Sequence, residues 1–409
     1  VGAVRTSLRR TPVLLGPAFV AAVAYVDPGN VATNLTAGAA FGYLLLWVLV
    51  VANAMAVVVQ YLSAKLGLVT GQSLPELLRE RLGRRTRLAY WAQAELVAAA
   101  TDVAEVVGGA IALHLLFGIS LPLGGAIVGV VSMALLVVQS RRGQRPFEFV
   151  IIGLLAVIVV GFLAGLVVAP PDWAAAAGGL VPRFAGTETV LLAAGMLGAT
   201  VMPHVIYLHS ALARDRHGGG HPPAVLGRLL AATRWDVGLS LAVAGAVNIA
   251  MLLLAATSLR GAPGTDSIGG AHAAIAASLG AGIGTIFAVG LLASGLASAS
   301  VGAYAGASIM GGLLRTRIPL LARRAITLAP ALAVLVLGAD PTRALVISQV
   351  VLSFGIPFAV LPLIRLTGDR SLMGSFVDPP ALRAAGVAIA AIVCTLNAVL
   401  IVLTVTGMG

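Results

Sequence analysis

The sequence predicts an all-α, multi-pass membrane protein built as two inverted five-helix halves, each opening on a broken helix, with an eleventh helix appended. Three observations predict it. The 409 residues are 59% hydrophobic and 10% charged, with a mean hydropathy of +1.03, which is more apolar surface than a soluble core could bury. The apolar residues fall into segments of about the length needed to cross a bilayer. Gly and Pro interrupt the first and the sixth of these segments at corresponding places, which is the sequence signature of inverted repeats around a midplane site.

The segments run over 12–41, 44–66, 88–116, 121–139 and 147–168, then 189–213, 237–257, 280–314, 324–338 and 344–364, and finally 382–406. They divide one transmembrane domain, residues 1–409, into a first repeat of about 12–168, a second of about 189–364 and an extra helix of about 382–406. In the first segment, Asp27-Pro28-Gly29-Asn30 is built to refuse helix. Pro28 lacks an amide hydrogen, the residue before it is pushed out of the α region, and Gly29 is free to take positive φ. A break at 27–30 is therefore expected. Residues 12–26 alone rise about 22 Å, short of a hydrocarbon core of about 30 Å, so Asp27 belongs near mid-membrane. A carboxylate at that depth is costly unless a cation meets it, and irregular backbone is tolerated there only where it lines a cavity.

The sixth segment repeats the device in Gly198-Ala199-Thr200-Val201-Met202-Pro203-His204, with a break expected near 198–203 through Gly198 and Pro203. Ordinary proline kinks are the plainer alternative, and the buried Asp27 argues against it. Asp27 and Asn30 offer hard oxygen ligands, and unwound carbonyls near Ala24 and Ala199 can add more. Met202 is either a gap-filling core residue or a soft ligand of the kind that Mn²⁺, Fe²⁺, Co²⁺ or Cd²⁺ accepts and Ca²⁺ does not. Gln349, inside the tenth segment, offers either another oxygen or an interhelical hydrogen bond.

With successive segments crossing in alternate directions, all 26 lysines and arginines except Arg183, Arg260 and Arg343 collect on one side. The positive-inside rule then places the N-terminus in the cytoplasm and, with an odd number of spans, the C-terminus outside, in a cell (inner) membrane. The net charge of +11 thus belongs to basic cytoplasmic loops, with no nucleic-acid partner implied. A single cysteine, Cys394, excludes an internal disulfide and reads as a small core residue. No cleavable signal pattern is visible. The sequon at Asn34 lies inside the first span and is taken as chance.

Asp-Pro-Gly-Asn at 27–30 and Met-Pro-His at 202–204 resemble the two signature motifs of the Nramp (natural resistance-associated macrophage protein) family of proton-coupled divalent metal transporters. The stretch ELVAAATDVAEVVGGAIALHLLFG at 95–118 is similar to the third span of that family, so the likeness covers nearly the whole chain. The resemblance implies a LeuT-like fold and a bacterial importer of divalent transition metals. It implies Asp27, Asn30 and Met202 as side-chain ligands, with the Ala24 and Ala199 carbonyls and Gln349 joining in some states. The chain departs from the family at 295–314, where Leu296, Ala299, Val301, Ala303 and Ala307 stand in place of polar residues. A direct part for that segment in the ion path is therefore not expected.

Glu95, Asp102 and Glu105 share one helical face by spacing and form a candidate proton path from Asp27, with Arg323, Arg324 and His204 as basic partners. An ion-pair network without proton traffic is the alternative, and for Glu95 an acid reaching to the interface. His209, His217 and His221 near the following cytoplasmic loop offer metal ligands, but scattered histidines beside a Gly-rich linker read rather as solvated. Two rival functions share parts of this pattern. A sodium-coupled organic-solute transporter would have the same architecture, but Asp27 makes the centre anionic, whereas an organic carboxylate wants helix N-termini and no competing acid. An intramembrane hydrolase could pair Asp27 with Asp102. No HExxH or Gly-x-Gly-Asp motif supports it, so no enzyme and no prosthetic group is expected. The substrates expected are a divalent metal and protons.

Overall fold

The computed structural model describes residues 16–265, 267–314 and 318–406, and the N-terminal arginines Arg5, Arg9 and Arg10 and the loop residue Arg315 lie outside them. The first repeat runs α1 Pro17–Ala24, α2 Pro28–Phe41, α3 Leu46–Thr70, α4 Leu74–Arg81, α5 Arg84–Phe117, α6 Leu121–Arg142 and α7 Gln144–Val168. After the short α8 Trp173–Gly178, the second runs α9 Thr187–Thr200, α10 Pro203–His217, α11 Pro223–Ser258, α12 Ile268–Leu279, α13 Ala281–Leu314, α14 Leu320–Val336 and α15 Pro341–Thr367. A short α16 Arg370–Met373 leads into α17 Pro380–Thr406.

Among the described residues, nine helical stretches are long and apolar enough to cross a membrane, with α9 and α10 together counting as one. The broken pair α1 and α2 and the 17-residue α14 supply the other two spans expected from the sequence. Both fall short of the usual length, α1 and α2 because the break divides them.

The breaks are narrower than expected, and each lies at the edge of the motif. Residues Tyr25–Asp27 separate α1 from α2, and Val201–Met202 separate α9 from α10. Pro28 and Pro203 each stand at the first position of the helix that resumes. A proline costs nothing there, because its missing amide hydrogen would have had no partner anyway. Asp27 and Met202, the residues before the prolines, are both extended (φ −69°, ψ 165° and φ −71°, ψ 121°), as a residue preceding proline should be.

The two glycines sit inside helices, so positive φ is not what they provide. A Cβ on Gly29 would overlap the Gln349 amide, and one on Gly198 would come within 2.9 Å of Ser353 Cβ. Both allow α15 to approach the breaks closely.

Packing brings the two halves together. α5 lies along α13, α2 along α11, α7 along α13 and α10 along α3. α15 contains Pro357 and Pro362, each of which leaves the carbonyl four residues earlier without a helical partner. Side chains from two other helices fill both vacancies. Asn397 Nδ2 of α17 donates to the Ser353 carbonyl at 2.8 Å, and the Tyr207 hydroxyl of α10 donates to the Phe358 carbonyl at 2.9 Å. The same prolines that open these vacancies thus tie α15 to its neighbours.

Candidate metal site

Asp27 is fully buried and caps α2, its Oδ1 accepting the backbone amide of Asn30 at 2.8 Å. The side-chain amide of Asn30 donates to the same oxygen at 2.8 Å and to the Ala199 carbonyl at 2.9 Å. One asparagine therefore bridges the two helix breaks. Gln349 Nε2 lies 3.4 Å from Asp27 Oδ2, so α15 closes the third side. Met202 is fully buried in the second break. Of the expected ligands, the Ala24 carbonyl accepts the Asp27 amide at 3.3 Å.

Two buried oxygens in this cluster, Asn30 Oδ1 and Gln349 Oε1, have no hydrogen-bond partner among the described residues. Leaving a buried acceptor unmatched costs about 1–3 kcal/mol, and here two lie beside a buried carboxylate. Such oxygens are suited to a cation. Among the described residues, no three His, Cys, Asp or Glu side chains gather as a metal cluster. The polar groups gathered at the two breaks are therefore one carboxylate with amide and carbonyl oxygens, and the buried Met202 stands in the second break.

The carbonyls exposed by the first break are satisfied from elements that sequence reading did not single out. Asn248 of α11 donates to the Tyr25 carbonyl at 2.7 Å and accepts from Asn34 at 2.8 Å. Ser294 of α13 donates to the Val26 carbonyl at 2.5 Å. Intramembrane Asn is uncommon and stands out in the sequence, Ser does not, and nothing in their spacing identifies which carbonyl they serve. A second chain joins Tyr25, Gln60 and His209: Gln60 Nε2 donates to the Tyr25 hydroxyl at 2.5 Å, and Gln60 Oε1 lies 2.8 Å from His209 Nδ1. His209 is buried, contrary to the solvated reading, because α10 continues past it to His217. His217 is half-buried at the end of that helix, and His221 Nε2 lies 2.9 Å from its carbonyl.

Two of the three acids of α5 pair with the consecutive arginines of α14. Arg323 donates to Glu95 at 2.7 Å, and Arg324 pairs with Asp102 while also reaching Ser132 of α6 at 3.0 Å. Neither carboxylate oxygen of the buried Glu105 has a hydrogen-bond partner among the described residues. His204 forms no ion pair with these acids. Its Nδ1 lies 3.4 Å from Thr101 Oγ1, and its Nε2 has no partner among the described residues, because α10 approaches α5 one residue before Asp102. The polar-poor segment 295–314 lies on this seam: a Cβ on Gly302 would reach within 2.9 Å of Glu105 Oε2, and Arg323 packs over Gly306. Small residues there leave room for charge carried by other helices.

The family model described as natural resistance-associated macrophage protein-like matches residues 18–403. This chain belongs to the Nramp family. It is 64% identical over 403 residues, 98% of this chain and 94% of the relative, to the protein named divalent metal cation transporter MntH from Mycobacterium tuberculosis. To the MntH of Aeromonas hydrophila it is 48% identical, covering 95% of each chain. The crystal structure of a manganese transporter from Eremococcus coleocola superposes with a TM-score of 0.85 at 32% identity, covering 94% of this chain and 85% of the other. The nucleobase-cation-symport-1 transporter MHP1 superposes at 0.60 with 15% identity, covering 96% and 93%, which extends the shared fold beyond the Nramp family. These relatives are named as transporters, which removes the hydrolase reading and disfavours the sodium-coupled alternative.

Proposed function

We propose that this Nramp protein imports divalent transition-metal ions of the Mn²⁺, Fe²⁺, Co²⁺ and Cd²⁺ type, coupled to protons, by alternating access. The names of its relatives support the metal class. The observation that carries the reading is the buried set formed by Asp27, Asn30 Oδ1 and Gln349 Oε1 against the second break at Met202. The carboxylate supplies the charge that draws in the dication. Asn30 and Gln349 then replace hydration oxygens, and the Met202 thioether favours transition metals over Ca²⁺. The Ala199 and Ala24 carbonyls enter the ligand set as the halves rearrange, Ala199 once Asn30 turns its amide toward the ion.

The proton path runs from Asp27 past His204 to Glu105 and Asp102, and out between α5 and α14. Support for it lies in the unpartnered Glu105 beside the Asp102–Arg324 pair. A route apart from the metal's own spares Asp27 from releasing its proton into a cavity that a dication also occupies, where like charges repel strongly. The basic face of the bundle is the cytoplasmic face of the inner membrane in this reading.

Mn²⁺ uptake into proteoliposomes, read with an internal pH dye, tests it. Metal uptake accompanied by internal acidification is expected. Uptake that requires Na⁺ and ignores Mn²⁺ would establish the organic-solute alternative.

A further inference from the structure

On the basic face, a cavity of about 550 Å³ opens between the α4–α5 junction and the end of α15. Its mouth carries Arg81 and Arg365, both exposed, and its wall includes Tyr90, the half-exposed Leu361 and Pro362. Arg365 has no hydrogen bond or ion pair among the described residues. Arg81 has only a loose partner, Asp369, at 3.6 Å. Asp369 also lines the cavity, and its Oδ1 accepts the Ser371 amide at 2.9 Å and the Ser371 hydroxyl at 2.6 Å; one carboxylate against two guanidinium groups leaves the cavity a net positive charge. We infer that this cavity binds an anionic phospholipid of the adjoining leaflet, its phosphate held by Arg81 and Arg365 and its acyl chains lying along Leu361 and Pro362.

Three features select that occupant. Guanidinium groups present planar forks that match phosphate oxygens and are more weakly hydrated than ammonium. Their position is that of headgroups, since α4, α5 and α15 all begin or end here, while the exposed side chains beneath, Phe358 and Leu361, are apolar. Tyr90 stands between the two zones, where amphipathic aromatics gather in membrane proteins, its ring edge-on to Phe358 at 5.7 Å. A soluble phosphate would find the same two arginines but no use for the apolar wall. The inference rests on the proposed orientation only for calling the leaflet cytoplasmic, and the binding test below does not depend on it. A bound lipid would also press on α15, the helix that brings Gln349 to Asp27.

Native mass spectrometry of the detergent-purified chain, titrated with phosphatidylglycerol or with phosphatidylcholine of the same chain length, measures this. Phosphatidylglycerol should bind several-fold more tightly. Arg365→Gln and Arg81→Gln should each weaken it about fivefold, the factor corresponding to roughly 1 kcal/mol for one basic residue at an anionic surface, with phosphatidylcholine unchanged. Arg228→Gln, an exposed arginine elsewhere on the same face, should have no effect. Equal losses in Arg228→Gln and Arg365→Gln would mean diffuse charge attraction and overturn the site. Displacement of the lipid by glycerol phosphate at matching concentration would show a soluble phosphoanion site instead, and would overturn it equally.

Discussion

Asp27 carries two duties in one side chain. Its Oδ1 caps α2 through the Asn30 amide, and its Oδ2 faces the Gln349 amide. Removing the carboxylate removes the only acid of the proposed site. Asp27→Ala should therefore reduce Mn²⁺ uptake to background and abolish binding by calorimetry. Asn30→Ala should do the same through loss of an oxygen ligand and of the bridge to Ala199. Wild-type transport by Asp27→Ala would falsify the site assignment. Met202 contributes selectivity in this scheme. With the thioether gone the remaining donors are all oxygen, so Ca²⁺ should compete with Mn²⁺ in Met202→Ala at concentrations that leave the intact protein unaffected. If Ca²⁺ inhibits both equally, Met202 is packing.

Elements are held in place here by polar groups that answer specific backbone vacancies. Tyr207→Phe keeps the ring but leaves the Phe358 carbonyl, orphaned by Pro362, without a donor in a partly buried setting. It should cost about 1–3 kcal/mol, seen as a lowered Tm in detergent, and an unchanged Tm would show that water replaces the hydroxyl. The short α4 is clamped differently. Glu76 accepts from the Ser73 amide at 2.7 Å and the Ser73 hydroxyl at 2.8 Å and pairs with Arg214 of α10. Partial burial pushes this carboxyl up, but the Ser73 hydrogen bonds and the Arg214 charge outweigh it and hold Glu76 below its ordinary value. A depressed value means that the stabilisation is present at neutral pH and is lost as pH falls through the folded-state value, below the usual carboxylate range. Protection factors of the α4 amides, each rate taken relative to the intrinsic exchange rate at the same pH, should accordingly fall only under acid conditions, and equal protection factors at pH 7 and pH 3 would show that the clamp contributes nothing.

At the scale of the whole molecule, the proposal gives Asp27 two polar regions: the proposed metal site between the breaks, and the seam between α5 and α14 as the proposed proton path. Separate exits make separate losses possible. Asp102→Asn or Glu105→Gln should suppress proton entry and flatten the pH dependence of uptake while metal binding, followed by calorimetry on the same preparation, stays within a few-fold of wild type. Parallel loss of binding and proton flux would make these acids structural supports of the metal site and sink the separate path. The seam is made possible by α13, whose Gly302 and Gly306 take no space where Glu105 and Arg323 lie. The polar residues missing from 295–314 are therefore no loss to the seam, since the charges come from its neighbours.

Local chemistry was enough to make the spans, the two breaks and Asp27 readable from the chain itself. Apolar runs must cross a bilayer, proline ends a helix wherever it falls, and a lone carboxylate at mid-membrane demands a partner. Even the pairing of α5 acids with α14 arginines was foreseeable, because buried charges of opposite sign must meet. Tertiary structure alone decided where each break begins, since a proline at the first helical position extends the following helix to meet it. It decided that Gly29 and Gly198 serve close approach, that His204 stands apart from the acids, and that His209 is buried against Gln60. It also chose Asn248, Ser294, Asn397 and Tyr207 to satisfy carbonyls left free by the first break and by Pro357 and Pro362. Those choices depend on which helix passes which vacancy, a matter of long-range packing that leaves no period or motif in the sequence.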